Sequence, residues 1–166
     1  MQRVCSPTTA PETLLQDSCK PGAHAGPMTT TATSPTGLSP IVDRFLDAIG
    51  SGAGVPAELF SGGVTLDATV PGWRFGAVGP GAVAHEYSGW FTAPAAFEEL
   101  VRRAVDHGEV VTYLLTWEER GVPHAAHHCH VLEFDAHGRI ARDLFFCGGR
   151  WDAALLAEMA AAQHAG

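Results

Sequence analysis

The chain has 166 residues, of which 46% are hydrophobic and 17% charged, and its formal net charge is −8. That length supports one domain with a sizeable core. Its few basic residues form no patch, which sets aside nucleic acid and anionic membranes, since both need a dense cationic footprint. No apolar run approaches the roughly 18–20 residues that span a bilayer.

Residues 1 to 38 are rich in Pro, Thr, Ser, Gly and Ala and carry no apolar periodicity. Such a segment cannot bury enough surface to offset its ordering entropy, so disorder is expected there, with the functional domain over residues 39–166. Met28 opens the run Met-Thr-Thr-Thr and is a second candidate start of translation. Met1 to Lys20 lacks the apolar centre of a signal peptide. Cys5, Cys19, Cys129 and Cys147 show no Cys-x-x-Cys spacing. The expectation is a reducing, cytoplasmic setting without a disulfide framework. Nine of the ten basic residues are Arg, and Ala and Gly abound, a composition that points to a GC-rich bacterial source.

Ser39-Pro40 reads as a helix start, a capping hydroxyl followed by Pro in the first turn. Ile41, Val42, Phe45, Leu46 and Ile49 fall on one helical stripe that Gly50 ends. A helical turn over Pro56 to Phe60 leads to a break at Gly62-Gly63. Val64 to Val70 reads as a strand stopped by Pro71-Gly72, and a Gly/Pro-rich loop holding Trp73, Arg74 and Phe75 runs on to Gly81. A helix follows, from about Gly81 to Phe91. Phe97, Leu100, Val101, Ala104 and Val105 match helical spacing, yet Asp106-His107-Gly108 looks like a hairpin turn. Val110 to Glu119, Ala125 to Phe134 and Ile140 to Cys147 are strands, and Trp151 to Gln163 is a terminal helix. Helices first and antiparallel strands after them make the class α+β.

That order, with His130-Val-Leu-Glu-Phe-Asp-Ala-His-Gly-Arg-Ile140 as a strand–turn–strand hairpin, resembles the nuclear transport factor 2-like superfamily. Asp43-Arg44-Phe45-Leu46 and Leu59-Phe60 ahead of Val64-Thr65-Leu66 are similar as well, and the likeness covers about residues 40–150. The resemblance implies a cone-shaped, curved antiparallel sheet wrapped by N-terminal helices around a pocket. It also implies that Phe97 to Val105 is a strand, and that the protein is a homodimer through the convex face of the sheet. Its functions range from SnoaL-like polyketide cyclases, isomerases and dehydratases to non-catalytic modules, so function must be argued from the site.

Laid against the steroid isomerase branch, the resemblance puts His130 at the position of a hydrogen-bond-donating Asp. It puts Trp117, Tyr113 and Tyr87 on pocket-lining positions and Asp143 and Phe145 on the pocket side of the last strand. The branch's Tyr on the first helix is here Phe45 and its proton-shuttling carboxylate is Ala68, which argues against that isomerisation mechanism. Phe145 replaces the Asp of limonene-type epoxide hydrolases.

His128 and His130 lie two apart on one strand and so share a face. An imidazole exchanges protons near neutral pH, and a carboxylate such as Asp143 can fix its tautomer. The alternative for either His is a core residue satisfied by a carbonyl or a Tyr hydroxyl. His130 and Asp143 are the catalytic candidates, with His130 expected beside Trp117. His128, Trp117, Tyr113, Tyr87, Trp73 and Phe145 are the candidate substrate contacts. Asp67 opposes the parity of Leu66, Ala68 and Val70 and reads as structural. His127 opposes His128 and His130, so His124, His127, His128 and His130 cannot all converge on a metal. Glu98-Glu99 and Glu118-Glu119 read as solvated faces, and no Gly-rich loop suggests a nucleotide cofactor. No cofactor or metal is expected, and the expected ligand is a small hydrophobic molecule. Two functions stand: a cofactor-free acid/base enzyme (cyclase, isomerase or dehydratase), or a non-catalytic binding or dimerisation module.

Overall fold

The computed structural model describes residues 37–164. The expected disorder of the N-terminal stretch falls on residues outside these, apart from Gly37 and Leu38, and so do Met28, Cys5 and Cys19. Helix α1 spans Pro40–Ser51, with Pro in its first turn and Val42, Phe45, Leu46 and Ile49 buried. The Ser39 hydroxyl makes no cap bond. The Ser39 backbone is held instead: its N–H donates to the Glu109 carboxylate and its carbonyl accepts from Arg102 Nη2 at 3.0 Å. Gly50 does not end α1. It lies inside the helix, where a Cβ would stand 3.0 Å from the Phe97 ring, and the left-handed cap is Gly52 at φ 66°.

A 3-10 turn over Ala57–Leu59 leads into β1, Phe60–Val70, which carries Gly62 and Gly63 within it rather than breaking there. Its pairing with the later strand Ile140–Cys147 is irregular between Phe60 and Thr65, so the glycines mark a bulge. The stretch after Pro71-Gly72 is not all loop. Trp73–Val78 forms β2, paired with β1 from Thr65↔Val78 to Val70↔Trp73. Gly72 takes φ 73°, as the left-handed position of a two-residue turn requires. Helix α2 spans Pro80–Trp90.

β3 spans Ala95–Val105, the strand implied by the resemblance. Its register slips between Glu98 and Val101, with Glu99 at φ 53°. A bulge of this kind shifts side-chain parity, which is how a strand came to carry helix-like apolar spacing. β4 (Gly108–Glu119), β5 (Val122–Phe134) and β6 (Ile140–Cys147) follow as long antiparallel strands. Trp151–Asp152 does not start the terminal helix but forms β7 on β5, and helix α3 then covers Ala153–His164.

The described strands form one curved, unclosed sheet, six in the order β2-β1-β6-β5-β4-β3 and the seventh, β7, paired with β5 off that path. It departs from the all-antiparallel expectation at one pair, because β1 and β6 run parallel. The core lies on the concave side: α1 and α2 pack Phe45, Ile49, Val83 and Tyr87 against Leu66, Val111, Leu132 and Phe145. Among the described residues, no helix is long and apolar enough to cross a membrane.

Candidate functional site

Strand alternation puts positions 111, 113, 115 and 117 of β4, 126, 128, 130 and 132 of β5, and 143, 145 and 147 of β6 on the concave side. The register stacks them in layers: Trp117 opposite His124, Leu115 opposite Ala126, Tyr113 opposite His128, and His130 opposite Phe145. The layers run from an open mouth to a closed interior.

A cavity of about 350 Å³ occupies the outer layers. Leu115, Trp117, Ala126 and Phe145 form its sheet wall, and Phe75, Trp90 and Phe91 face them from β2 and the end of α2. The aromatic rings brace one another: Trp90 stacks on Phe145 with centroids 5.4 Å apart, and Phe75 meets Trp90 edge-on at 5.2 Å. Polar wall groups are few: His128 and Cys147 toward the interior, and Thr92, Glu119 and Arg150 on the other walls.

His128 is 5% exposed and its Nδ1 has no hydrogen-bond partner. Burial, reinforced by the neighbouring imidazoles of His130 and His127, pushes its pKa down to about 3. The ring is therefore neutral at working pH, a hydrogen-bonding group rather than a charge. Burial also pushes the Cys147 thiol up, so it stays protonated.

Beneath the cavity floor lies a sealed chain of four side chains. The Tyr87 hydroxyl donates to Asp143 Oδ2, and the same oxygen lies 2.9 Å from His130 Nδ1. On the other side of the ring, His130 Nε2 lies 2.9 Å from the Tyr113 hydroxyl. All four residues are fully buried. Burial first, and the Asp143 charge second, push both phenols well above their ordinary range, so each remains a donor. The network assigns the His130 proton to Nδ1, donating to Asp143, with Nε2 accepting from Tyr113. Phe45 meets the His130 ring edge-on at 5.3 Å, and Phe145 covers it at 4.7 Å. Asp143 Oδ1 alone in this chain has no partner.

The structure thus divides the sequence-predicted site residues. His128, Trp117 and Phe145 line the cavity, whereas His130, Asp143, Tyr113 and Tyr87 lie beneath its floor. Trp73, at the start of β2, has the parity of Phe75 but is 68% exposed and does not line the cavity. His130 is not beside Trp117: the register pairs Trp117 with His124, whose ring stacks on it at 5.6 Å, and gives His130 Tyr113 instead. Asp67 is a surface partner of Arg74, which bonds it through Nε and Nη2 at 2.8 and 2.6 Å.

Two groups were missed in the sequence. Glu119 is solvated, as expected, but it also lines the cavity and pairs with Arg150, whose guanidinium sits 5.7 Å over the Trp117 ring. Glu109 is 1% exposed and binds Arg102 through both carboxylate oxygens, while Arg102 also reaches Asp43 on α1. Glu109 shares parity with Val111 and Tyr113, and that alternation was the available signal.

No family model matches the chain, and no curated protein matches it. Solved structures do. An uncharacterised bacterial protein with a cystatin-like fold from Silicibacter pomeroyi DSS-3 superposes with a TM-score of 0.50 at 14% identity, over 69% of this chain and 77% of that one. What the two share is the fold, a curved, unclosed sheet with helices in an α+β arrangement. A proposed ketosteroid isomerase from Parabacteroides distasonis ATCC 8503 (15% identity, 64% of this chain, 83% of that one) gives a TM-score of 0.48. A proposed isomerase from Rhodopseudomonas palustris (15% identity, 65% and 89%) gives the same score. At these identities the likeness concerns the fold alone.

Proposed function

We propose that this domain holds a small, largely apolar molecule in the cavity above His128. In this reading the Tyr87–Asp143–His130–Tyr113 chain is the internal brace of the pocket. The observation that carries it is the contrast between the two imidazoles. His130 has both nitrogens engaged and no exposure, while the His128 ring lines the cavity and has its unpartnered Nδ1 buried behind it. Apolar pockets of about 300–1,000 Å³ with one or two placed polar groups are the usual form of small-molecule sites. A neutral imidazole offers one donor and one acceptor, so it suits a ligand hydroxyl or carbonyl.

The acid/base enzyme is the second reading, as a SnoaL-like cyclase, isomerase or dehydratase. One observation favours it: Asp143 fixes the His130 tautomer in the manner of a carboxylate-oriented base, and its buried Oδ1 has no partner. It requires the substrate to reach past Phe145, and Phe45 and Ala68 stand where the isomerase branch has its acid and base.

Calorimetric titration with 2-naphthol, a flat apolar probe with one hydroxyl, tests the binding reading. Binding that is lost in Ala126→Trp, which fills the cavity, supports it, and equal binding by both proteins overturns it. A carbonyl ligand recovered from heavy water without exchange of its α-protons supports the receptor. Exchange that disappears in His130→Gln establishes the enzyme.

A further inference from the structure

The cavity has two polar poles. At the inner end stands His128, a 5%-exposed imidazole that lines the cavity. At the mouth stands Arg150, which follows Gly148-Gly149 and bonds His124 Nε2 at 2.8 Å. His124 and His128 are four residues apart on β5, a span of about 13 Å at strand rise. Between the poles the wall carries flat rings: Trp117, Phe91, Trp90 and Phe145.

The poles differ in charge. No cation lies at the inner end, where His128 stays neutral, so an anionic group buried there would be unpaired and costly. At the mouth Arg150 is, among the described residues, the single cationic side chain lining the cavity, and its guanidinium lies over the Trp117 ring. Its present partner, Glu119, is 44% exposed, and Arg150 itself 51%. An ion pair that open to water is weak and exchangeable, and a carboxylate released from it is readily hydrated.

We propose that the ligand is an amphipathic aromatic carboxylate of two or three rings, bound with a neutral hydroxyl or carbonyl inward at His128 and its carboxylate outward at Arg150. The ligand carboxylate takes the place of the Glu119 carboxylate on the guanidinium, a fork that accepts a carboxylate through two parallel bonds. Glu119 then acts as a resident competitor that keeps the Arg150 side chain over the mouth in the empty protein. This inference rests on the receptor reading and adds to it the charge and the direction of the ligand.

The test compares 6-hydroxy-2-naphthoic acid with its methyl ester, followed by quenching of tryptophan fluorescence, since Trp90 and Trp117 line the cavity. The acid is expected to bind wild type more tightly than the ester. Arg150→Gln should weaken the acid by roughly tenfold and leave the ester unchanged. Glu119→Gln, which frees the guanidinium, should tighten the acid by roughly two- to fivefold and again spare the ester. Ester binding as tight as acid binding, or acid binding indifferent to both substitutions, overturns the proposal while the receptor reading stands. Failure of both probes to bind wild type, with 2-naphthol also unbound, overturns both.

Discussion

Replacing His128 by Phe should remove a specific acid sensitivity of the fold. The His128 pKa falls from 6.5 to about 3 on folding, mainly because the ring is buried. Between those values the unfolded chain carries a proton on this residue and the folded protein does not. Stability contributed by the neutral ring is complete above pH 6.5 and is lost as pH falls toward 3. At about 1.36 kcal/mol per pH unit, the loss between pH 6.5 and 5.0 is roughly 2 kcal/mol, and the full window is worth on the order of 4–5 kcal/mol. Phe cannot take up the proton, and it exchanges an unpartnered polar atom for carbon, so its stability at pH 7.5 should stay within about 1 kcal/mol of wild type. Urea unfolding of both proteins at pH 7.5, 6.0 and 5.0 measures the difference, since all other groups titrate alike in the two. Wild type should lose about 2 kcal/mol more than His128→Phe over that range. Equal losses would show that His128 is solvated or paired, and the neutral-wall argument would fail.

Other consequences are more local. Tyr87→Phe strips one donor from the buried Asp143 carboxylate, whose Oδ1 is already unpartnered. It should cost about 1–3 kcal/mol in chemical denaturation, and a cost under about 0.5 kcal/mol would mean that the hydroxyl holds nothing. Arg102→Met leaves Glu109 buried without its cation and should destabilise by about 3–5 kcal/mol, whereas a neutral result would show that water reaches Glu109. The convex face presents Phe146 at 47% exposure beside Cys129 and Val131, and we propose that it is where two copies meet. Sedimentation equilibrium should then show a concentration-dependent dimer, and a single 17.5 kDa species at micromolar concentration would contradict this.

The elements with one clean period were legible in the sequence. α1 showed its buried stripe, and β4, β5 and β6 showed their alternation, because each buries one face continuously. Bulges and turns concealed the rest. The slip at Glu98/Val101 gave β3 a helix-like spacing, and β2 was masked by the glycines and proline of its own hairpin. Parity placed His128 and His130 on the concave side correctly but gave no depth along the strand. Depth depends on how far α1 and α2 fill the narrow end, with Phe45 and Tyr87, and that is a tertiary property. Arg150 was invisible for a similar reason: nothing in Gly148-Gly149-Arg150 indicates that the chain turns the guanidinium onto Trp117.

The contrast between the two imidazoles can be measured directly by nitrogen NMR of histidine-labelled protein, with assignments from His128→Phe and His130→Gln. On saturation with 2-naphthol, the ring nitrogens of His128 should shift as they gain a hydrogen-bond partner. Those of His130 should hold the pattern of a ring bonded at both nitrogens, to Asp143 and to Tyr113. A ligand that moves the His130 nitrogens and leaves those of His128 in place would contradict the account and put the acid/base pair in contact with the ligand.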